Sequence, residues 1–192
     1  MAATSLVDSL KSASLLPSQV IPPGFRPDYE LAVSFPAIRP SNGSLVRKSQ
    51  ASETPKVTFS PLSPAESSNQ SLTFVLIDPD APTPDDPKFA YWRHWVVANI
   101  SSSAADVSAG KTLTEYLAPG PKDESGPHRY LFLLFKEPED LKLEKSDVGG
   151  EEFVERRSFT ADEFVRKHGL ELVGAQWMRG VGDGWNGGKD EL

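Results

Sequence analysis

Three near-continuous apolar runs, Leu72–Ile77, Trp95–Ala98 and Tyr130–Phe135, constrain this chain more than any other feature. Each has the length of a strand, and each is rich in β-branched or aromatic side chains. Side chains of a strand alternate between faces, so a strand that is apolar at successive positions must be covered on both sides. Leu31–Phe35 reads as a further strand, and Thr112–Leu117 and Leu170–Met178 as weaker ones. Asn42-Gly43 suits a tight turn ahead of Ser44–Val46, because both residues tolerate positive φ. Polar, serine- and proline-rich stretches at 48–54 and 61–70 read as loops.

Helical signals are confined to the periphery. Ser5 and Asp8 have the spacing of a capping box, and Leu6, Val7 and Leu10 share one side, which predicts a helix over 5–16. Pro17, Pro22 and Pro23 then stop it and begin an extended arm. Near the other end Thr160 and Glu163 form a second capping box, Phe159 and Phe164 a hydrophobic staple, and Gly169 a left-handed stop. The expected fold is therefore mainly β and mostly antiparallel, with short peripheral helices. Its expected divisions are an N-terminal helix and arm over 1–25, a body over 26–179, and a loose glycine-rich tail over 180–192.

Bulk properties narrow the function. With 192 residues, 38% hydrophobic and 24% charged, the chain suits one globular body. Its net charge of -7 argues against nucleic acid as a partner, since phosphate backbones select a basic face. The densest basic pairs, Arg156-Arg157 and Arg166-Lys167, read as solvated surface. There is no cysteine, which removes disulfides, thiol chemistry and cysteine-based zinc sites. No run of 18 apolar residues occurs, so peripheral membrane contact is the most that is expected. The chain ends in Lys189-Asp190-Glu191-Leu192, an endoplasmic-reticulum retention address, and carries Asn-x-Ser sequons at Asn42, Asn69 and Asn99. The N-terminus has neither a basic region nor an apolar one of signal-peptide type. The expectation is a cytoplasmic monomer, with the reticulum lumen as the alternative.

Chemistry concentrates at the ends of the apolar runs. Asp78-Pro79-Asp80-Ala81-Pro82 follows the first run, and continued alternation would turn both carboxylates to one face. Tyr91-Trp92-Arg93-His94 leads into the second, and Gly126-Pro127-His128-Arg129-Tyr130 into the third. There alternation puts His128 and Tyr130 on one face and Arg129 on the other. Imidazoles and a phenol side by side suit the recognition of an anion. The remaining histidine, His168, sits at the end of the C-terminal helix, where a cation suits the macrodipole. Two catalytic alternatives use the same residues. Asp78-x-Asp80 after an apolar strand matches the opening of haloacid-dehalogenase-type phosphotransferases, and Asp78, His94 and His128 have the residue types of a two-histidine, one-carboxylate metal site. No G-x-S-x-G supports a serine hydrolase.

Taken together, Leu76–Pro82, Trp92-Arg93-His94 and Ser125–Tyr130 resemble the two signature regions of the phosphatidylethanolamine-binding protein family. That family includes Raf kinase inhibitor proteins and plant flowering-time regulators. Thr112–Pro121 and Gly126–Pro138 look most like its fungal carboxypeptidase Y inhibitor branch, and the resemblance spans roughly Leu31–Met178. It implies a large central antiparallel sheet packed on a smaller one, with a small anion pocket at one end. By the same resemblance the ligand-binding side chains are Asp78, His94, His128 and Tyr130. Pro82 and Pro121 belong to the rim, Gly120 to exposed pocket backbone and Trp92 to the wall. Phe89 falls where animal members often carry tyrosine. The implied role is non-enzymatic and without cofactor or metal. It consists of binding a phosphate-like anion or phospholipid headgroup and inhibiting a serine carboxypeptidase, with a headgroup carrier or kinase-pathway scaffold as the alternative. His94, His128 and Tyr130 would donate to the anion, while Asp78 orients a histidine or meets an ammonium group.

Overall fold

The structure, a computed structural model, describes residues 2–63 and 70–187, and the side chains of residues 2–5 are not described. The sequon at Asn69 and the Lys189–Leu192 address lie outside the described residues. The elements are helix α1 (Ala2–Ser12), strands β1 (Tyr29–Ser34), β2 (Leu45–Arg47), β3 (Lys56–Pro61), β4 (Ser71–Asp78), β5 (Trp92–Ser101), β6 (Lys111–Thr114) and β7 (His128–Lys136), helices α2 (Lys145–Val148) and α3 (Ala161–Lys167), and strand β8 (Glu171–Val181).

The apolar runs become the centre of an eight-stranded sheet ordered β3-β1-β8-β7-β4-β5-β6, with β2 also on β8. β4 is antiparallel to both β5 and β7, and β7 is antiparallel to β8. Two contacts are parallel: β2 with β8, and β1 with β8 through the single pair Tyr29–Gly174. The β1–β3 ribbon is thus hinged to the sheet at one point and lies over one of its faces as the smaller layer. Gly174 permits that crossing, because a Cβ there would lie 2.5 Å from Leu31 Cδ1.

Double coverage explains the continuous hydrophobicity. Leu72, Phe74 and Leu76 of β4, with Phe132 and Leu134 of β7, pack under Leu31, Val33, Val57 and Phe59 of the ribbon. The alternate residues Val75, Ile77, Leu131, Leu133 and Phe135 pack under Leu6 and Leu10 of α1, Ile21, Phe25 and Phe164 of α3. Each such side chain contributes about 1.5–3 kcal/mol by leaving water.

Several local expectations need correction. Strand β3 lies where no element was expected, although its buried Val57 and Phe59 alternate as a half-buried strand requires. β8, expected to be weak, is an 11-residue strand whose Gln176 accepts from the Val33 N–H and donates to the Pro40 carbonyl. α1 begins at Ala2 and ends at Ser12, so Ser5 lies inside it and not at its cap. After α1 the chain makes a compact bend rather than an extended arm: Ser14 has φ 56°, and the Ser18 N–H donates to the Ile21 carbonyl. At α3 the Thr160 side chain makes no capping hydrogen bond, whereas the Phe159–Phe164 staple (5.5 Å between rings) and the left-handed Gly169 are present. Strand β8 extends through Gly180 and Val181. Beyond it Arg47 donates to the carbonyls of Gly182, Asp183 and Trp185, so the described part of the tail is fastened to the body. Among the described residues no helix is long and apolar enough to cross a membrane.

Candidate functional site

One end of the sheet collects the chemistry because β4 finishes there while β5 and β7 begin there. Asp78 stands opposite Trp92 in the β4–β5 register, and His128 opposite Gly180 in the β7–β8 register. Between the pairs Leu76–Trp95 and Ile77–Arg93 the register slips, leaving His94 as the extra residue of a bulge. A bulge re-aims the side chain it carries, which is why such irregularities recur beside sites. Here it sets the His94 ring edge-on to Tyr130 at 5.3 Å, while His128 stacks on Tyr130 at 6.3 Å.

Asp78, His94, His128 and Tyr130 are all buried. Nδ1–H of His128 donates to Asp78 Oδ2 at 2.8 Å, and its Nε2 lies 3.1 Å from the Ser125 hydroxyl. Asp78 thus orients a histidine, one of the roles expected of it. Nδ1–H of His94 donates to the Leu117 carbonyl at 2.7 Å. Burial lowers the His94 pKa, against the opposing pull of Asp78 and Leu117. A neutral ring whose Nδ1 carries the proton presents Nε2 as an acceptor. For His94 to donate to an anion from Nε2, as expected from the sequence, its ring must take up a proton together with that anion. Burial, reinforced by Asp78, raises the Tyr130 pKa well above its ordinary value, so its phenol stays a donor.

Asp80 does not share the face of Asp78. β4 ends at Asp78 and the chain turns at Pro79-Asp80, so strand alternation stops before it can align the carboxylates. Instead Asp78 Oδ1 accepts the Asp80 N–H, and the Asp80 carboxylate receives the Arg129 N–H, Nε and Nη2. An Asp80 locked in that fork is not placed as the acid of a phosphotransferase, and the antiparallel sheet is not that enzyme fold. No three His, Cys, Asp or Glu side chains gather in metal-binding geometry among the described residues.

A cavity of about 260 Å³ opens over this cluster. Asp78, His94, His128 and Tyr130 form its polar floor, and Pro82, Trp92, Gly120 and Pro121 line it as well, so every residue nominated from sequence reaches the same space. Others went unnoticed: Leu117, Lys122, Phe153 and Arg157 also line it, and Ser125 supports His128 from behind. The Arg156-Arg157 pair is not simply solvated surface. Arg156 is buried and donates to the carbonyls of His94, Glu115 and Glu151, while Arg157 stacks over Phe89 and Trp92. The only hint in the sequence was the adjacent Phe153 and Phe159, which make this a folded rim and not a charged loop.

The family model described as "Phosphatidylethanolamine-binding protein" matches residues 29–175. Protein MOTHER of FT and TFL1 homolog 2 of Oryza sativa subsp. japonica is 35% identical over 113 residues, which are 59% of this chain and 60% of that protein. The fold is similar to that of a carboxypeptidase Y inhibitor solved with its cognate proteinase. That likeness has a TM-score of 0.78 and 23% identity, and covers 94% of this chain and 97% of that one. It is also similar to a phosphatidylethanolamine-binding protein from Plasmodium vivax, with a TM-score of 0.77 and 24% identity over 92% of this chain and 97% of that one. The match over residues 29–175 spans the strands β4, β5 and β7 that build the site and reaches the start of β8, and on that ground the chain belongs to the phosphatidylethanolamine-binding protein family.

Proposed function

We propose that this protein is a non-catalytic binder that holds a phosphate-like anion, free or as a phospholipid headgroup, over Asp78, His94, His128 and Tyr130. The observation that carries this reading is the pairing of buried donors with buried acceptors under one small cavity. Tyr130 offers a hydroxyl donor to phosphoryl oxygens, and His128 stands beside it, oriented by Asp78. His94 Nε2 and the Asp78 carboxylate suit an ammonium group, so phosphoethanolamine meets both halves of the site. Charge-assisted hydrogen bonds of this kind are about twice as strong as neutral ones. Ser125, His128 and Asp78 follow one another in the order of a catalytic triad, but Ser125 Oγ donates its proton to the Lys122 carbonyl, and in this reading it supports the ring rather than acting as a nucleophile.

The leading working role is inhibition of a serine carboxypeptidase. Likeness to the carboxypeptidase Y inhibitor over nearly the whole chain supports it. In that reading the pocket holds its anion while other surfaces meet the enzyme. The test joins two measurements on wild type and His128→Ala. Calorimetric titration with O-phosphoethanolamine should give binding that His128→Ala abolishes, and wild type that binds no phosphoryl compound refutes the pocket. An inhibition panel of a serine carboxypeptidase and protein kinases should show loss of carboxypeptidase activity. No inhibition of any member, with headgroup binding intact, replaces the inhibitor role by that of a headgroup carrier.

A further inference from the structure

The polar floor of the cavity has no surplus positive charge. Even a protonated His128 is balanced by Asp78, Tyr130 is a neutral phenol, and burial disfavours a charged His94. An anion attracted to this space therefore needs a cation from its walls.

The arginines around the site differ in what holds them. Arg93 donates to the Thr114 hydroxyl and the Gly150 carbonyl, Arg129 to Asp80 and the Ala13 carbonyl, and Arg156 to a set of backbone carbonyls. Each is held by hydrogen bonds to the protein. Arg157 is the exception: among the described residues its side chain makes no hydrogen bond or ion pair, and its buried Nε has no partner. Its guanidinium lies 4.6 Å above the Phe89 ring and 5.8 Å from that of Trp92, both of which line the cavity with it. Stacking fixes a guanidinium in a plane while leaving its in-plane N–H groups free, and those groups match phosphoryl oxygens in pairs. Lys122 also lines the cavity, but it is exposed and no ring positions it. Phe89 carries no hydroxyl, so its part in the wall is to hold the cation rather than to donate.

Resting on the proposed anion pocket, we infer that Arg157 is the residue that contacts the phosphoryl oxygens and determines the charge selectivity of the site. The held, donor-free guanidinium replaces by charge what the neutral floor cannot supply. It also makes binding a matter of two elements: β7 brings His128 and Tyr130, and the turn before α3 brings Arg157.

Titrations of wild type, Arg157→Gln, Arg157→Lys and His128→Ala with inorganic phosphate, O-phosphoethanolamine and glycerophosphoethanolamine test this. Arg157→Gln is expected to weaken every phosphoryl compound that wild type binds by roughly tenfold or more, the loss that follows from removing a charged donor. Arg157→Lys, which keeps charge without the paired donors, is expected to fall between. The salt dependence of binding should flatten in Arg157→Gln, a readout that a merely structural role does not move. Binding of the monoester without the diester assigns the site to phosphomonoesters. Binding of both admits a lipid headgroup, and the Arg157 effect is expected in either case. If Arg157→Gln binds as wild type does while His128→Ala does not bind, the inference fails and the pocket stands. If wild type binds none of the compounds, the pocket reading fails and this inference with it.

Discussion

His94 and His128 are equally buried, yet their first partners differ in charge and so do their roles. His128 faces a carboxylate, whereas His94 gives its Nδ1 proton to a backbone carbonyl and is pushed toward the neutral form by burial. An unfolded imidazole takes up a proton near pH 6.5. Between the lowered folded value and about 6.5 the unfolded chain holds the extra proton, so stability falls as pH drops through that window and is fully present above it. For one proton the slope is at most about 1.4 kcal/mol per pH unit. His94→Asn keeps a donor for the Leu117 carbonyl and cannot titrate. Urea unfolding of the two proteins between pH 5 and 7.5 should show a shallower decline for the variant; superimposable slopes refute the assignment.

At the scale of elements, the site depends on how closely β8 approaches β7. Gly180 stands opposite His128, and a Cβ there would lie 2.5 Å from Tyr130 Cε2. The absent side chain is what lets the Tyr130 ring lie flat against the strand beneath the cavity. Gly180→Ala forces the ring outward or the strands apart, an overpacking that costs about 1–3 kcal/mol. The fold should survive while O-phosphoethanolamine affinity falls several-fold, as measured by thermal unfolding and titration of the same sample. Unchanged affinity would show that the Tyr130 position is not critical. The β5 bulge acts in the same way for His94, so strand irregularities rather than long loops aim the floor of the site.

Across the whole molecule, the N-terminal segment and the pocket are linked through Asp80 and Arg129. Arg129 grips Asp80 two residues beyond Asp78 and, with Nη1, the Ala13 carbonyl just after α1; Trp177 Nε1 donates to Ser9 within α1. Leu6, Leu10, Leu15 and Leu16 are buried in the same core as β4 and β7. At about 1.5–3 kcal/mol each, their removal rivals the whole stability of a typical domain, about 5–15 kcal/mol. Deletion of residues 1–16 is therefore expected to abolish the cooperative melt seen by circular dichroism. A truncated protein that melts as wild type does, and loses only carboxypeptidase inhibition, would assign the segment to the partner instead.

The sequence by itself determined the strands that carry the site. Apolar runs of strand length, alternation at His128 and Tyr130, and acids and histidines at strand ends are local signals, set by side-chain period and by burial. Those signals place Asp78, His94, His128 and Tyr130 at the edge of a core covered on both faces. They do not fix where alternation stops: the turn after Asp78 sends Asp80 to Arg129, and the slip in β5 re-aims His94. Nor does composition separate Arg156 from Arg157. One is buried against carbonyls and the other stacked at the cavity, because packing of the turn before α3 against β5 decides which donors are occupied. Only the tertiary structure settles such partners, since a hydrogen bond between residues far apart in sequence has no local signature.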